Sequence, residues 1–120
     1  MLDVAKQLNV PSTYIVGLAS YESGWLDDHN AKLNNLWGLT QAGGNNISFP
    51  SMQAGNQYFA TRVGPFIQNS QTIPTFFSGL KKEGYNAVNP NYFSMNPRKG
   101  MLFNRISNIQ KWAKACNASF

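Results

Sequence analysis

The sequence predicts a mainly helical (α+β) single domain over residues 1–120, with one small β-element near residues 36–50. Three observations carry that expectation. Apolar residues recur at helical spacing, as in Ile15, Leu18 and Ala19, and again in Leu102, Ile106, Ile109, Ala113 and Cys116. Segments open on Pro, Ser or Thr and close on Gly or Asn, the punctuation of short capped helices. Between them lies one stretch, Gly43-Gly44-Asn45-Asn46, flanked by Leu36–Thr40 and Ile47–Phe49, that reads as a small hairpin.

The elements follow in order. Asp3 to Asn9 is a short helix, ended by Asn9-Val10-Pro11. Pro11-Ser12 opens a second helix that runs to Ser23 and stops at Gly24. Residues 25–50 are expected to be irregular apart from the hairpin. Pro50-Ser51 opens a third helix through Met52, Tyr58 and Phe59. Thr72-Ile73-Pro74 opens a fourth, closed by Gly84. The Asn- and Pro-rich stretch from Gly84 to Gly100 is loop. A last helix ends at Cys116, with its basic residues largely off the apolar stripe.

Composition narrows the function classes. Hydrophobic residues make up 42% and aromatics 13%, enough for one modest core, while charged residues are only 12%. That is about half the usual charged share, and Asn, Gln, Ser and Thr take their place. A neutral, hydrogen-bonding surface with aromatics suits sugars. The net charge is +5, and from Lys81 onward seven Lys and Arg face a single acid, Glu83. Such a face favours an anionic partner, or is simply a solvated helix face. The lone Cys116 permits no internal disulfide and is expected to be a buried, inert residue of the last helix's stripe. Met1 to Lys6 has no signal-peptide pattern, and no apolar run approaches the ~20 residues that span a bilayer. A domain acting in the periplasm or extracellular cell wall would then arrive by another route, or as part of a larger protein. A monomer is expected, with no nucleic-acid partner and no membrane insertion.

Few residues can do chemistry. His29 lies in Asp27-Asp28-His29-Asn30, read as a solvated turn, with no nucleophile motif and no second His or Cys to complete a ligand set. No metal or cofactor is expected. Glu22 stands apart, because it continues the apolar stripe of Ile15, Leu18 and Ala19 at the end of its helix. Partial burial and the negative helix C-terminus both raise a carboxyl pKa. A carboxylic acid kept protonated near neutral pH can protonate a glycosidic oxygen, a poor leaving group until it receives that proton. The same residue could also be an ordinary exposed glutamate at a helix end.

Ala19-Ser20-Tyr21-Glu22-Ser23-Gly24-Trp25, then Asn34-Asn35-Leu36-Trp37-Gly38-Leu39, then Leu80-Lys81-Lys82-Glu83-Gly84-Tyr85-Asn86-Ala87-Val88-Asn89-Pro90-Asn91-Tyr92, occur in this order. Together they resemble the motifs of the glucosaminidase-type peptidoglycan hydrolases, glycoside hydrolase family seventy-three of the lysozyme-like superfamily. The resemblance covers roughly residues 5–110. It implies a lysozyme-like fold, a helical lobe and a small β-hairpin lobe flanking a cleft. It also implies an endo-β-N-acetylglucosaminidase that hydrolyses the β-1,4 bond between N-acetylglucosamine and N-acetylmuramic acid. Glu22 takes the general-acid position, and Tyr85 takes the position of a tyrosine that supports catalysis. Ser23, Asn35, Trp37 and Tyr92 fall at substrate-binding positions, with Trp37 expected in the cleft and Trp25 in the core. The chain departs from the pattern at Leu26, where the family usually has Gly, at Trp37 in place of Phe, and at Thr40 in place of Lys. Asn86-Ala87-Val88-Asn89 also replaces a segment that often carries an acid.

A second catalytic group is not evident. No acid lies between His29 and Lys82, Asp27 and Asp28 are expected to face solvent, and Glu83 is expected on the basic face of its helix. The substrate's acetamido group, a water held by Tyr85 and an amide, or Glu22 alone could complete the reaction. The last would make this a lytic transglycosylase leaving 1,6-anhydro ends. A muramidase on the same fold, an inactive cell-wall sugar-binding module and a basic nucleic-acid-binding helical domain are the competing readings. A phage lysis enzyme or an antibacterial toxin fits the setting, and a toxin would have an immunity protein, expected in the cleft near Glu22.

Overall fold

The computed structural model describes residues 1–41, 44–86 and 89–116, and these form a mainly helical body with extents of 35 × 31 × 27 Å. Among the described residues seven helices follow in order: α1 (Leu2–Leu8), α2 (Ser12–Ser23), α3 (Asp28–Leu33), α4 (Met52–Arg62), α5 (Gly64–Ile67), α6 (Ile73–Glu83) and α7 (Met101–Ala115). Side-chain caps set several starts. Asp27 accepts from the Asn30 N–H, Ser51 from that of Ala54 and Thr72 from that of Thr75. Left-handed residues set the ends of four helices: Asn9 after α1, Gly24 after α2, Asn34 after α3 and Gly84 after α6.

The core runs through the middle of these helices. Ile15 and Leu18 of α2, Phe59 of α4, Phe76 and Leu80 of α6, and Leu102 and Ile106 of α7 are buried together. The most extensive helix pair is α2 on α7. It closes at Gly17, where an added Cβ would come within 2.5 Å of Ile106 Cγ1. Close approach of α7 requires that missing side chain.

Three expectations need correction. Residues 28–33 are a capped helix rather than irregular chain, and residues 64–67 add a further helical turn. The expected hairpin is not a pair of strands. Among the described residues it amounts to one antiparallel bridge, Thr40 with Asn46, and its tip at Ala42 and Gly43 lies outside them. Cys116 is exposed, because the apolar stripe of α7 is buried only through Leu102, Ile106 and Ile109. Of the described helices, none is long and apolar enough to cross a membrane.

Candidate active site

Helix α2 carries Glu22 on its last turn, and the helix's buried face draws the side chain inward. Two neutral donors hold it. The Tyr92 hydroxyl donates to Glu22 Oε1 at 2.7 Å, and the Asn86 amide donates to the same oxygen at 3.0 Å. Both come from the chain between α6 and α7. The other oxygen, Oε2, lies toward Gly38, where a Cβ would stand 3.2 Å from it. Gly38 is left-handed (φ +62°), so the backbone and the space beside Glu22 both favour glycine there.

Burial pushes the Glu22 carboxyl pKa up, and the bonds from Tyr92 and Asn86 pull part of that back. Because Oε1 already accepts two hydrogen bonds, a proton on this carboxyl belongs on Oε2. The phenols beside it stay protonated. Burial comes first at both Tyr85 and Tyr92, and the Glu22 charge adds to it, so both are pushed well above the usual tyrosine range.

Glu22 opens onto a cleft of about 620 Å³. One wall is the loop of Gly38, Leu39, Thr40 and Gly44; the other is Arg62 at the end of α4 with Glu83, Gly84, Tyr85 and Asn86 at the end of α6. A second depression, of about 480 Å³ between Lys81, Asn89 and Phe93, contains no acid. Among the described residues no cluster of His, Cys, Asp or Glu could hold a metal ion.

The residues singled out in the sequence divide into two sets. Glu22, Tyr85 and Tyr92 come together, but the two tyrosines act differently from expectation. Tyr92, expected to bind substrate, is buried and holds the acid. The Tyr85 hydroxyl instead donates to the backbone carbonyl of Trp37, anchoring the opposite wall.

Ser23, Asn35 and Trp37 are fully buried and belong to the scaffold. Ser23 Oγ accepts from the Leu26 N–H at 2.9 Å. Asn35 is saturated: its amide donates to the carbonyls of Leu39 and Ile47, and its oxygen accepts from the N–H groups of Trp37 and Leu39. It has nothing left for a sugar.

The expected places of the two tryptophans are reversed. Trp37 stacks on Phe59 at 3.9 Å and donates its indole N–H to Asn56, so it is core. Trp25 is 52% exposed and carries the guanidinium of Arg105 over its ring at 5.0 Å.

Two site residues were missed. Asn86 directly follows the Gly-Tyr pair, and its left-handed backbone (φ 47°) turns its amide onto Glu22. Glu83 was placed on the basic face, yet it lines the cleft. Its side chain is only 9% exposed and pairs with Arg62 at 3.3 Å. The signal was present, since Phe76, Leu80 and Glu83 share one helical stripe.

Comparison with family models, with curated proteins and with solved structures gives no match.

Proposed function

We propose that this chain is a peptidoglycan hydrolase that cleaves the β-1,4 bond between N-acetylglucosamine and N-acetylmuramic acid, with Glu22 as the general acid. The proposal includes a lysozyme-like arrangement, in which the helical body and the loop of residues 35–49 flank the substrate cleft. The observation that carries it is the Glu22 carboxyl. It is half-buried, its pKa is raised, and its undonated oxygen is turned toward an open cleft. A proton held on Oε2 is available to the leaving oxygen of a glycosidic bond, and in acid catalysis geometry comes before pKa.

The ordered motifs around Glu22, Asn35 and Tyr85 supply the substrate class. Sugar contacts fall to the groups that line the cleft, Thr40, Arg62 and Asn86, rather than to the buried Asn35 and Trp37. In this reading the protein works in the periplasm or the extracellular wall, and an immunity or inhibitor protein would occupy the same cleft.

Mass spectrometry of fragments released from purified peptidoglycan, with Glu22→Gln alongside, tests this. Fragments with reducing-end N-acetylglucosamine, lost in the variant, are expected. Fragments one water lighter would make it a lytic transglycosylase, and reducing-end N-acetylmuramic acid would make it a muramidase. No release by the wild type would leave a sugar-binding module as the better reading.

A further inference from the structure

The cleft contains a second carboxylate that the acid step leaves unused. Glu83 ends α6 and lines the same cleft as Glu22, on the far side of Gly84 and Tyr85. Of the acids in the described residues, these two alone line it. Asp27 is tied up as the cap of α3, accepting from both the backbone and the side chain of Asn30. Asp28 sits exposed in the first turn of α3, and Asp3 in the first turn of α1.

Glu22 and Glu83 have opposite surroundings. Glu22 is held by neutral donors, whereas Glu83 Oε1 receives the Nε of Arg62. The same guanidinium donates through Nη1 to the carbonyl of Thr40 at 3.2 Å. Arg62 thus fixes the carboxylate and the loop wall in one frame. It binds Oε1, which leaves the other oxygen of Glu83 for a water in the cleft. Two carboxyl groups whose surroundings differ in this way divide acid and base work between them.

We infer that Glu83 is the general base of the cleavage proposed above, an assignment that rests on that reading. Glu83 takes one proton from a water as the water oxygen bonds to the anomeric carbon. The bond from that carbon to the leaving oxygen breaks, and the leaving oxygen receives the Glu22 proton. The new reducing end has inverted configuration. Glu83 then holds a proton and Glu22 a charge, and exchange with solvent resets both.

The test is turnover of soluble, uncrosslinked glycan strands by wild type, Glu83→Ala and Glu83→Gln, with and without azide. The anomer of the new reducing end is followed by NMR. A wild type that inverts is expected, together with a fall in kcat of about 10²–10⁴-fold in both variants and little change in KM. In Glu83→Ala, azide should restore turnover and yield a glycosyl azide of inverted configuration, because azide needs no base.

Wild-type turnover with Glu83→Ala within about threefold of it would overturn the base assignment alone. A retained configuration, or a slow Glu83→Ala that azide does not rescue, would also overturn it. A wild type that releases no reducing ends would overturn the glycosidase reading and this inference together. Should Glu83→Ala fail to fold, Glu83→Gln keeps the bond from Arg62, and its kcat decides.

Discussion

Helices α2 and α6 end alike. Each carries an apolar residue and, seven positions on, a glutamate: Ile15 with Glu22, and Phe76 with Glu83. Each is then stopped by a left-handed glycine, Gly24 in one case and Gly84 in the other. The same local pattern thus delivers two carboxylates to one cleft. What differs is non-local. Tyr92 and Asn86 bring neutral donors to Glu22, and α4 brings a guanidinium to Glu83. Local sequence aims an acid at the site, but the partners that hold it arrive from elsewhere in the chain.

The largest effect should come from removing the wall that both acids face. Asn35 holds that wall with four hydrogen bonds, positioning Gly38 against Glu22 and supporting the Leu39–Thr40 segment that Arg62 grips. Asn35→Ala leaves the buried N–H groups of Trp37 and Leu39 without partners, each costing about 1–3 kcal/mol, for a total of about 3 kcal/mol or more. Urea denaturation measures this. A loss below about 1 kcal/mol would mean that water replaces the amide and that the wall is not built on Asn35.

How much of this was legible follows the same division. Helix starts at Ser51 and Thr72 and stops at Gly24 and Gly84 were readable, because caps and left-handed turns are local chemistry. Helix α3 was missed because its six residues are mostly polar. Yet Asp27, capping Asn30 three residues on, was a readable cue. The hairpin was expected from apolar residues on either side of a Gly-Asn turn. The backbone bonds that cross it, Ile47 N–H to the Leu39 carbonyl and Gln41 N–H to the Asn45 carbonyl, amount to a single bridge, and the Asn35 side chain ties the same segments from below rather than a second strand doing so. The tryptophans were misplaced because Trp37 is made core by Asn56 and Phe59, neither of which is near it in sequence. Glu22 was found because its apolar stripe was read. Glu83 has the same stripe and was missed because its neighbours Lys81 and Lys82 suggested a basic face.

The next effect reads the surroundings of Glu22 through pH. The bond from Tyr92 lowers the Glu22 pKa, so its loss in Tyr92→Phe should raise that pKa further. The alkaline limb of the pH–rate profile should move up, with a stability cost of about 1 kcal/mol. Tyr85→Phe, which frees only the Trp37 carbonyl, should leave the limb in place.

Stability has its own signature. Glu22 binds its proton more tightly folded than unfolded, so stability falls as pH rises from the ordinary carboxylate value through the raised one. Glu22→Gln should remove that slope. Melting curves of the two proteins should lie closest at acid pH and diverge toward neutral, with the variant the more stable. Parallel curves would mean that the fold does not raise the Glu22 pKa.

On the other acid, Arg62→Met tests an ion pair rather than a carboxyl held by neutral donors. Arg62 is 41% exposed, so the pair should contribute at most about 1 kcal/mol to stability and less at high salt. Its effect should appear instead in turnover, through the loosened Glu83. Equal losses in stability and turnover at all salt concentrations would argue that Arg62 serves packing alone.

The smallest effect lies in the turns that follow the two glycines. After Gly84 the chain needs one more left-handed residue nearby and uses Asn86, which tolerates that conformation. After Gly24 it needs two in succession and uses Trp25 and Leu26, with φ of 60° and 58°. A left-handed leucine costs about 1–2 kcal/mol, and this is the position at which the motif resembled by residues 19–25 has glycine. Leu26→Gly should relieve the strain. Glycine's greater freedom in the unfolded chain returns about 0.5–1 kcal/mol of the gain, and some contact of the 38% exposed side chain is lost. The net should be a stabilisation of a few tenths of a kcal/mol, read as a small rise in Tm. A fall in Tm would show that Leu26 packs well enough to outweigh its backbone strain. The two helix ends would then differ in what their turns bury as well as in what pairs with their acids.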